Sequence, residues 1–172
     1  MEKYLKKSNI RAFFFIAVIG TLLHFTYEWT GKNLLVGLFS AVNESTWEHM
    51  KLLFMPAFFY FLFESKKYGQ DCENLLISRT CGLLAGLLFI PVAFYTYTGI
   101  IGRSFLAADI AIFYFSVFLT LYISSHMRNR HFRPTSLAAL LLLIAVFLVF
   151  AIFTFFPPHI DLFLDPVTFR YG

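Results

Sequence analysis

Charge is scarce in this chain. Charged residues make up 14% of the sequence, against roughly 25% in soluble domains. Repeats, low-complexity tracts and polar linkers are absent, so residues 1–172 read as one domain. Cysteine is limited to Cys72 and Cys81, which make neither a metal-ligand spacing nor a disulfide framework. H-E-x-x-H, G-x-S-x-G and phosphate-loop patterns are missing. Zinc-protease, serine-hydrolase and nucleotide chemistry in their motif-bearing forms are thereby set aside. A cleavable leader is not expected: Met1 to Arg11 is basic, but the apolar run behind it is long and bulky and no small-residue cleavage site follows.

What is abundant is apolar surface. Hydrophobic residues make up 59% of the chain, with 24 Phe. A soluble fold of this size cannot hide so much, so lipid must be part of its solvent. Five apolar stretches, at about 12–28, 46–64, 80–101, 104–126 and 136–156, fall within the roughly 17–25 residues that cross about 30 Å of hydrocarbon as a helix. The second has a polar first third. No ten-residue alternation accompanies them, which favours helices over a barrel. The reading is an all-α, multi-pass protein of the cell membrane with five transmembrane helices and the bilayer as its partner.

Five spans put the two ends on opposite sides. Lys3, Lys6, Lys7, Arg11, Lys66, Lys67, Arg79, Arg128, Arg130 and Arg133 fall on one side; Lys32, Lys51, Arg103 and Arg170 fall on the other. The positive-inside rule makes the first side cytoplasmic, with the N-terminus inside and the C-terminus outside. The net charge of +4 then reflects orientation, and no nucleic-acid partner is expected. Between spans one and two, residues 31–42 are apolar but too short to cross, which suits a re-entrant or interfacial segment, or a loop packed on the helix ends.

Ionisable residues within spans are costly and often functional. Here they gather at the outer level. His24 and Glu28 share a face of span one by i, i+4 spacing. Glu44, Glu48, His49 and Lys51 begin span two, Asp109 lies early in span four, and His159, Asp161 and Asp165 follow span five. That is three of five histidines and six of ten carboxylates. The inner half offers nothing similar, its charges being assigned to loops. Plainer roles exist. Ser45 with Glu48 fits a capping box, Glu48 with Lys51 an ion pair, and Asp109 can pair with Arg103. His24 alone suits an interhelical hydrogen bond. Tyr27, Trp29, Trp47 and Tyr171 suit an interfacial belt, Asn43-Glu44-Ser45 fits the glycosylation pattern, and Asp165-Pro166 reads as a turn.

Taken together, these groups have the chemistry of a divalent-metal site, zinc for example, which takes His nitrogen and carboxylate oxygen and keeps one position open when catalytic. The candidate ligands are His24, Glu48, His49 and His159, with Glu28 or Glu44 as general base. Lys51, Asp109, Asp161, Asn43, Tyr27 and Trp47 complete the polar layer. A metal-dependent membrane hydrolase acting on lipid or peptide is the first expectation. A small transporter with Glu28, Glu48 and Lys51 as a proton relay is the second, and a structural or partner-docking module the third.

The runs His24-Phe-Thr-Tyr27-Glu28-Trp29 and Val36-Gly-Leu-Phe-Ser-Ala-Val-Asn43-Glu44-Ser45-Thr-Trp47-Glu48-His49-Met-Lys51 resemble a family of small bacterial membrane proteins, domain-of-unknown-function family 6512. The ending Pro157-Pro158-His159-Ile-Asp161, with Asp165-Pro166 and Tyr171-Gly172, is similar to that family's, except that Asp161 stands where the family has proline. The resemblance spans the chain. It implies a compact multi-span helical protein and carries no activity.

Overall fold

The computed structural model describes residues 2–69, 74–128 and 136–171. Cys72, Arg130, Arg133 and Gly172 lie outside the described residues. Six helices follow one another: α1 (Glu2–Trp29), α2 (Leu34–Gly37), α3 (Thr46–Tyr68), α4 (Leu75–Ile101), α5 (Leu106–Met127) and α6 (Ser136–Phe155). A 3-10 turn at Asp161–Phe163 follows. No strand occurs among the described residues; the tail has a single antiparallel bridge, Leu164 to Tyr171.

Four helices are long and apolar enough to cross a membrane: Lys7–Trp29 within α1, then α4, α5 and α6. The stretch expected as span two is α3, whose 23 residues reach roughly 34 Å. It falls short in apolar character because it carries Glu48, Lys51 and Glu64, all buried. α3 is the central helix, and its neighbours cover these charges. A Pro at 56 leaves the Leu52 carbonyl without its usual helical donor. α1 approaches closely at that point, where a Cβ on Gly20 would lie 2.6 Å from Leu52 O. Only glycine permits this contact.

Side-chain contacts fix the layers. At one end, Ser8 of α1 donates to Glu64 of α3, and Arg79 of α4 grips the same carboxylate through Nε at 2.7 Å and Nη2 at 2.9 Å. Asn9 reaches Ser125 of α5 at 2.6 Å. At the other end, Tyr97 of α4 donates to Asp109 of α5, and Lys51 of α3 donates to Thr154 of α6 at 2.9 Å. Successive long helices therefore run antiparallel.

The first of these layers corrects the expectation that the inner half holds its charges in loops. Arg79 is fully buried inside α4, bidentate with Glu64 and 5.1 Å over the Phe61 ring. The sequence hides this pair because each partner stands beside a loop and reads as its edge.

α4 and α5 make the broadest contact. Gly82 and Gly86, four residues apart, face Ser116, Thr120 and Ser124, also four apart; any Cβ on either glycine would collide with the Thr120 and Ser124 or Ser116 backbone and hydroxyls. Such small-residue stripes let helices approach where lipid supplies no hydrophobic drive.

Candidate functional site

The chain leaves α1 at Trp29 and turns through Gly31 and Lys32, both at positive φ. It forms the short α2, capped by Asn33 Oδ1 on the Leu35 N–H at 2.9 Å. Residues 31–42 are thus a packed loop with one helical turn. Leu34 and Leu35 are exposed, while Gly37, Ser40 and Ala41 are buried. Ser40 ties the loop to α1, donating to Leu23 O and accepting from Tyr27 N at 3.1 Å. Tyr27 also packs on Gly37, where a Cβ would meet its ring at 3.2 Å. The aromatic belt role fits Trp29, which is exposed, but not Trp47, which is buried against Phe150 and Phe163 at centroid distances of 4.5 and 4.8 Å.

α3 begins at a capped end. Asn43 Oδ1 accepts from Ser45 N at 2.9 Å, and Ser45 Oγ accepts from Glu48 N at 3.4 Å. The reciprocal half of a capping box is missing, because the Glu48 carboxylate reaches past Ser45 to the Val42 N–H at 3.0 Å. Glu48 also holds Lys51 Nζ at 2.5 Å, and Thr154 Oγ1 lies 3.2 Å from it. Lys51 Nζ donates further to Gly37 O at 2.8 Å. This network is sealed, with Lys51 at 0% and Glu48 at 2% exposure. It fastens the α2 loop to α3 and α6.

A second cluster forms beside it. His24 of α1, Glu44 from the loop and His49 of α3 each offer a ligand atom within 4.8 Å of the others. His24 Nε2 lies 3.7 Å from Glu44 Oε1, and His49 Nε2 lies 3.6 Å from Glu44 Oε2. The imidazole rings are 5.5 Å apart. His49 Nδ1 is 2.9 Å from Ser45 O. A carbonyl only accepts, so Nδ1 carries the hydrogen and Nε2 of the neutral ring turns a lone pair toward Glu44. Two acceptors then face each other across 3.6 Å, a gap that calls for a proton or a cation. His24 Nδ1 is buried without a partner among the described residues.

The cluster lines a pocket of about 580 Å³ between α1, α3, α4 and α5, whose wall also includes Asp109, Pro166 and Val167. The tail reaches it through a turn organised by buried Asp165. Its Oδ1 accepts from Val167 N at 2.8 Å, and its Oδ2 accepts from Thr168 Oγ1 at 2.9 Å.

Of the residues expected in one site, only His24, Glu44 and His49 meet. Glu48 is turned into the Lys51 network. Glu28 lies in solvent, paired with Lys32 at 3.4 Å. His159 is exposed and lies against the Tyr171 ring, tilted, at 4.8 Å, and Asp161 is exposed at the 3-10 turn. Asp109 takes the Tyr97 hydroxyl rather than Arg103, which lies over Phe105 at 4.6 Å. Sequence reasoning missed the pocket, although Gly20 one turn below His24 was a readable signal of close packing.

A family model described as a family of unknown function matches residues 1–172. No curated protein and no solved structure matches.

Proposed function

This chain belongs to that family of unknown function, DUF6512, whose description carries no activity, and from the geometry we propose a five-span membrane protein that holds one divalent cation on His24, Glu44 and His49. α3 serves as the fifth span, and the cluster faces the outer leaflet. The observation that carries the reading is the pair of histidine nitrogens at 3.7 and 3.6 Å from a shared carboxylate. Ligands around a tetrahedral zinc at roughly 2.1 Å stand roughly 3.4 Å apart. The His49 Nδ1 bond to Ser45 O is the outer-shell support that orients metal-bound imidazoles. Two His and one Glu is a donor set of hydrolytic zinc sites, with a position left open, and here all three residues line the pocket.

The reaction we propose is hydrolysis of an acyl linkage. A cation on this donor set supplies Lewis acidity, making water nucleophilic near neutral pH. One water is consumed: its oxygen bonds to the carbonyl carbon, the bond to the leaving oxygen or nitrogen breaks, and the proton ends on the leaving group. Transport is less well supported. Between Lys51 and Glu64, α3 carries apolar residues apart from Tyr60, so α3 itself offers no relay between the two charged layers.

Vesicle-reconstituted protein supplied with acyl ester and acyl amide amphiphiles tests the reading. Hydrolysis that stops with a chelator, resumes with zinc and disappears in His49→Ala is expected. Metal-loaded protein that never exceeds the vesicle background would overturn the hydrolase assignment.

A further inference from the structure

We propose that the pocket under the His24–Glu44–His49 cluster seats the single hydrocarbon tail of a membrane amphiphile, taken from the outer leaflet with its polar linkage at the cluster. The linkage's chemistry rests on the function proposed above; the seat of the tail rests on separate observations.

The pocket is graded along the helix axes. His24, Glu44, His49 and Asp109 line the part nearest the helix ends. Gly20, one turn below His24, and Leu52, Ile112 and Phe113 line it deeper. A Cβ on Gly20 would meet Leu52 O and the Phe113 ring, so α1 closes on α3 and α5 there and gives the pocket a floor. Polar lining near the helix ends over apolar lining farther in matches one amphiphile, head outward.

The side wall opens on lipid. Phe25 on α1 and Leu106 and Ile110 on α5 line the pocket and are 46%, 76% and 48% exposed. Two hydrogen bonds cross the α1–α5 seam, Thr21 Oγ1 with Tyr114 OH at 3.4 Å and Asn9 with Ser125 at 2.6 Å, and both lie at or below the floor side. Above Thr21 the exposed part of the wall at this seam is Phe25, Leu106 and Ile110, apolar side chains that a tail can part. A pocket of about 580 Å³ has room for one long chain.

The test uses protein reconstituted in phosphatidylcholine vesicles containing palmitoyl lysophosphatidylcholine with a diazirine at the chain end. After irradiation, labelled positions are mapped by mass spectrometry. Labels should concentrate around Gly20 and Phe113, at least fivefold above the lipid-facing residues of α6, and fall at least fivefold in Ile112→Trp. Excess unlabelled lysolipid should remove them from the pocket and not from α6, which keeps the test open if Ile112→Trp fails to fold. Equal labelling of α6 and the pocket, or a pocket signal that resists competition, would overturn the proposal. So would displacement of the label by an apolar peptide and not by lysolipid. With an ether-linked form of the probe, which cannot be hydrolysed, the same labelling is expected with chelator-treated and zinc-loaded protein. Pocket labelling without zinc binding would sink the metal reading and leave the tail site standing; zinc binding without pocket labelling would do the reverse.

Discussion

Glu44 and Glu48 are four residues apart, and helical spacing puts them on one face. They do not share one, because α3 begins with Ser45 as its cap, so Glu44 still belongs to the loop. The spacing rule needs a helix through both positions, and the start signal at Ser45 was readable in the sequence. Glu28 stands apart from the cluster for a different reason. It does follow His24 within α1, but one turn farther out, beyond the start of α3, where only Lys32 is available. Lys51→Met would strand Glu48 in a sealed site, and a loss of about 3–5 kcal/mol is expected for such a broken buried pair. Arg79→Met should cost about as much through Glu64, while the double change Glu64→Leu with Arg79→Met should cost less than either single change. Lys32→Met should change stability by less than about 1 kcal/mol, as exposed pairs do. Chemical unfolding in detergent compares the four; similar losses for Lys32→Met and Lys51→Met would refute the sealed network.

At the scale of elements, the positions and order of the long helices were legible because apolar run length sets them, while the short α2 was not. Which helix sits at the centre was not. α3 has the least apolar sequence of the long helices and the most buried charge, so hydropathy ranks it last while packing puts it in the middle. The α4–α5 contact was written in the sequence as Gly82 and Gly86 opposite Ser116, Thr120 and Ser124, a pattern of small residues at four-residue spacing. Gly86→Val is expected to destabilise by about 1–3 kcal/mol, the usual cost of overpacking, while Gly99→Val, which has open space around it, should be near neutral. Melting curves of the two in one detergent check this; equal melting points would refute the close α4–α5 packing.

For the whole molecule, alternating basic segments predict the orientation, and two buried cations temper it. Arg79 and Lys51 answer to Glu64 and Glu48, so neither reports on the side of a loop. Lys32 and Lys66 remain informative, one beyond each end of the bundle. In a background lacking Cys72 and Cys81, Lys32→Cys should react with a membrane-impermeant maleimide on intact cells, and Lys66→Cys only after permeabilisation. The opposite pattern would invert the orientation and place the His24–Glu44–His49 cluster on the inner side. Acidification should weaken cation binding, because protonated imidazole cannot ligate; titration of zinc affinity between mildly acidic and neutral pH measures it.

The most direct measurement is elemental analysis of protein purified without added metal, beside His49→Ala and Glu48→Gln. About one divalent cation per chain, lost in His49→Ala and kept in Glu48→Gln, is the predicted result. Folded wild-type protein that carries no cation and binds none on addition of zinc would contradict it.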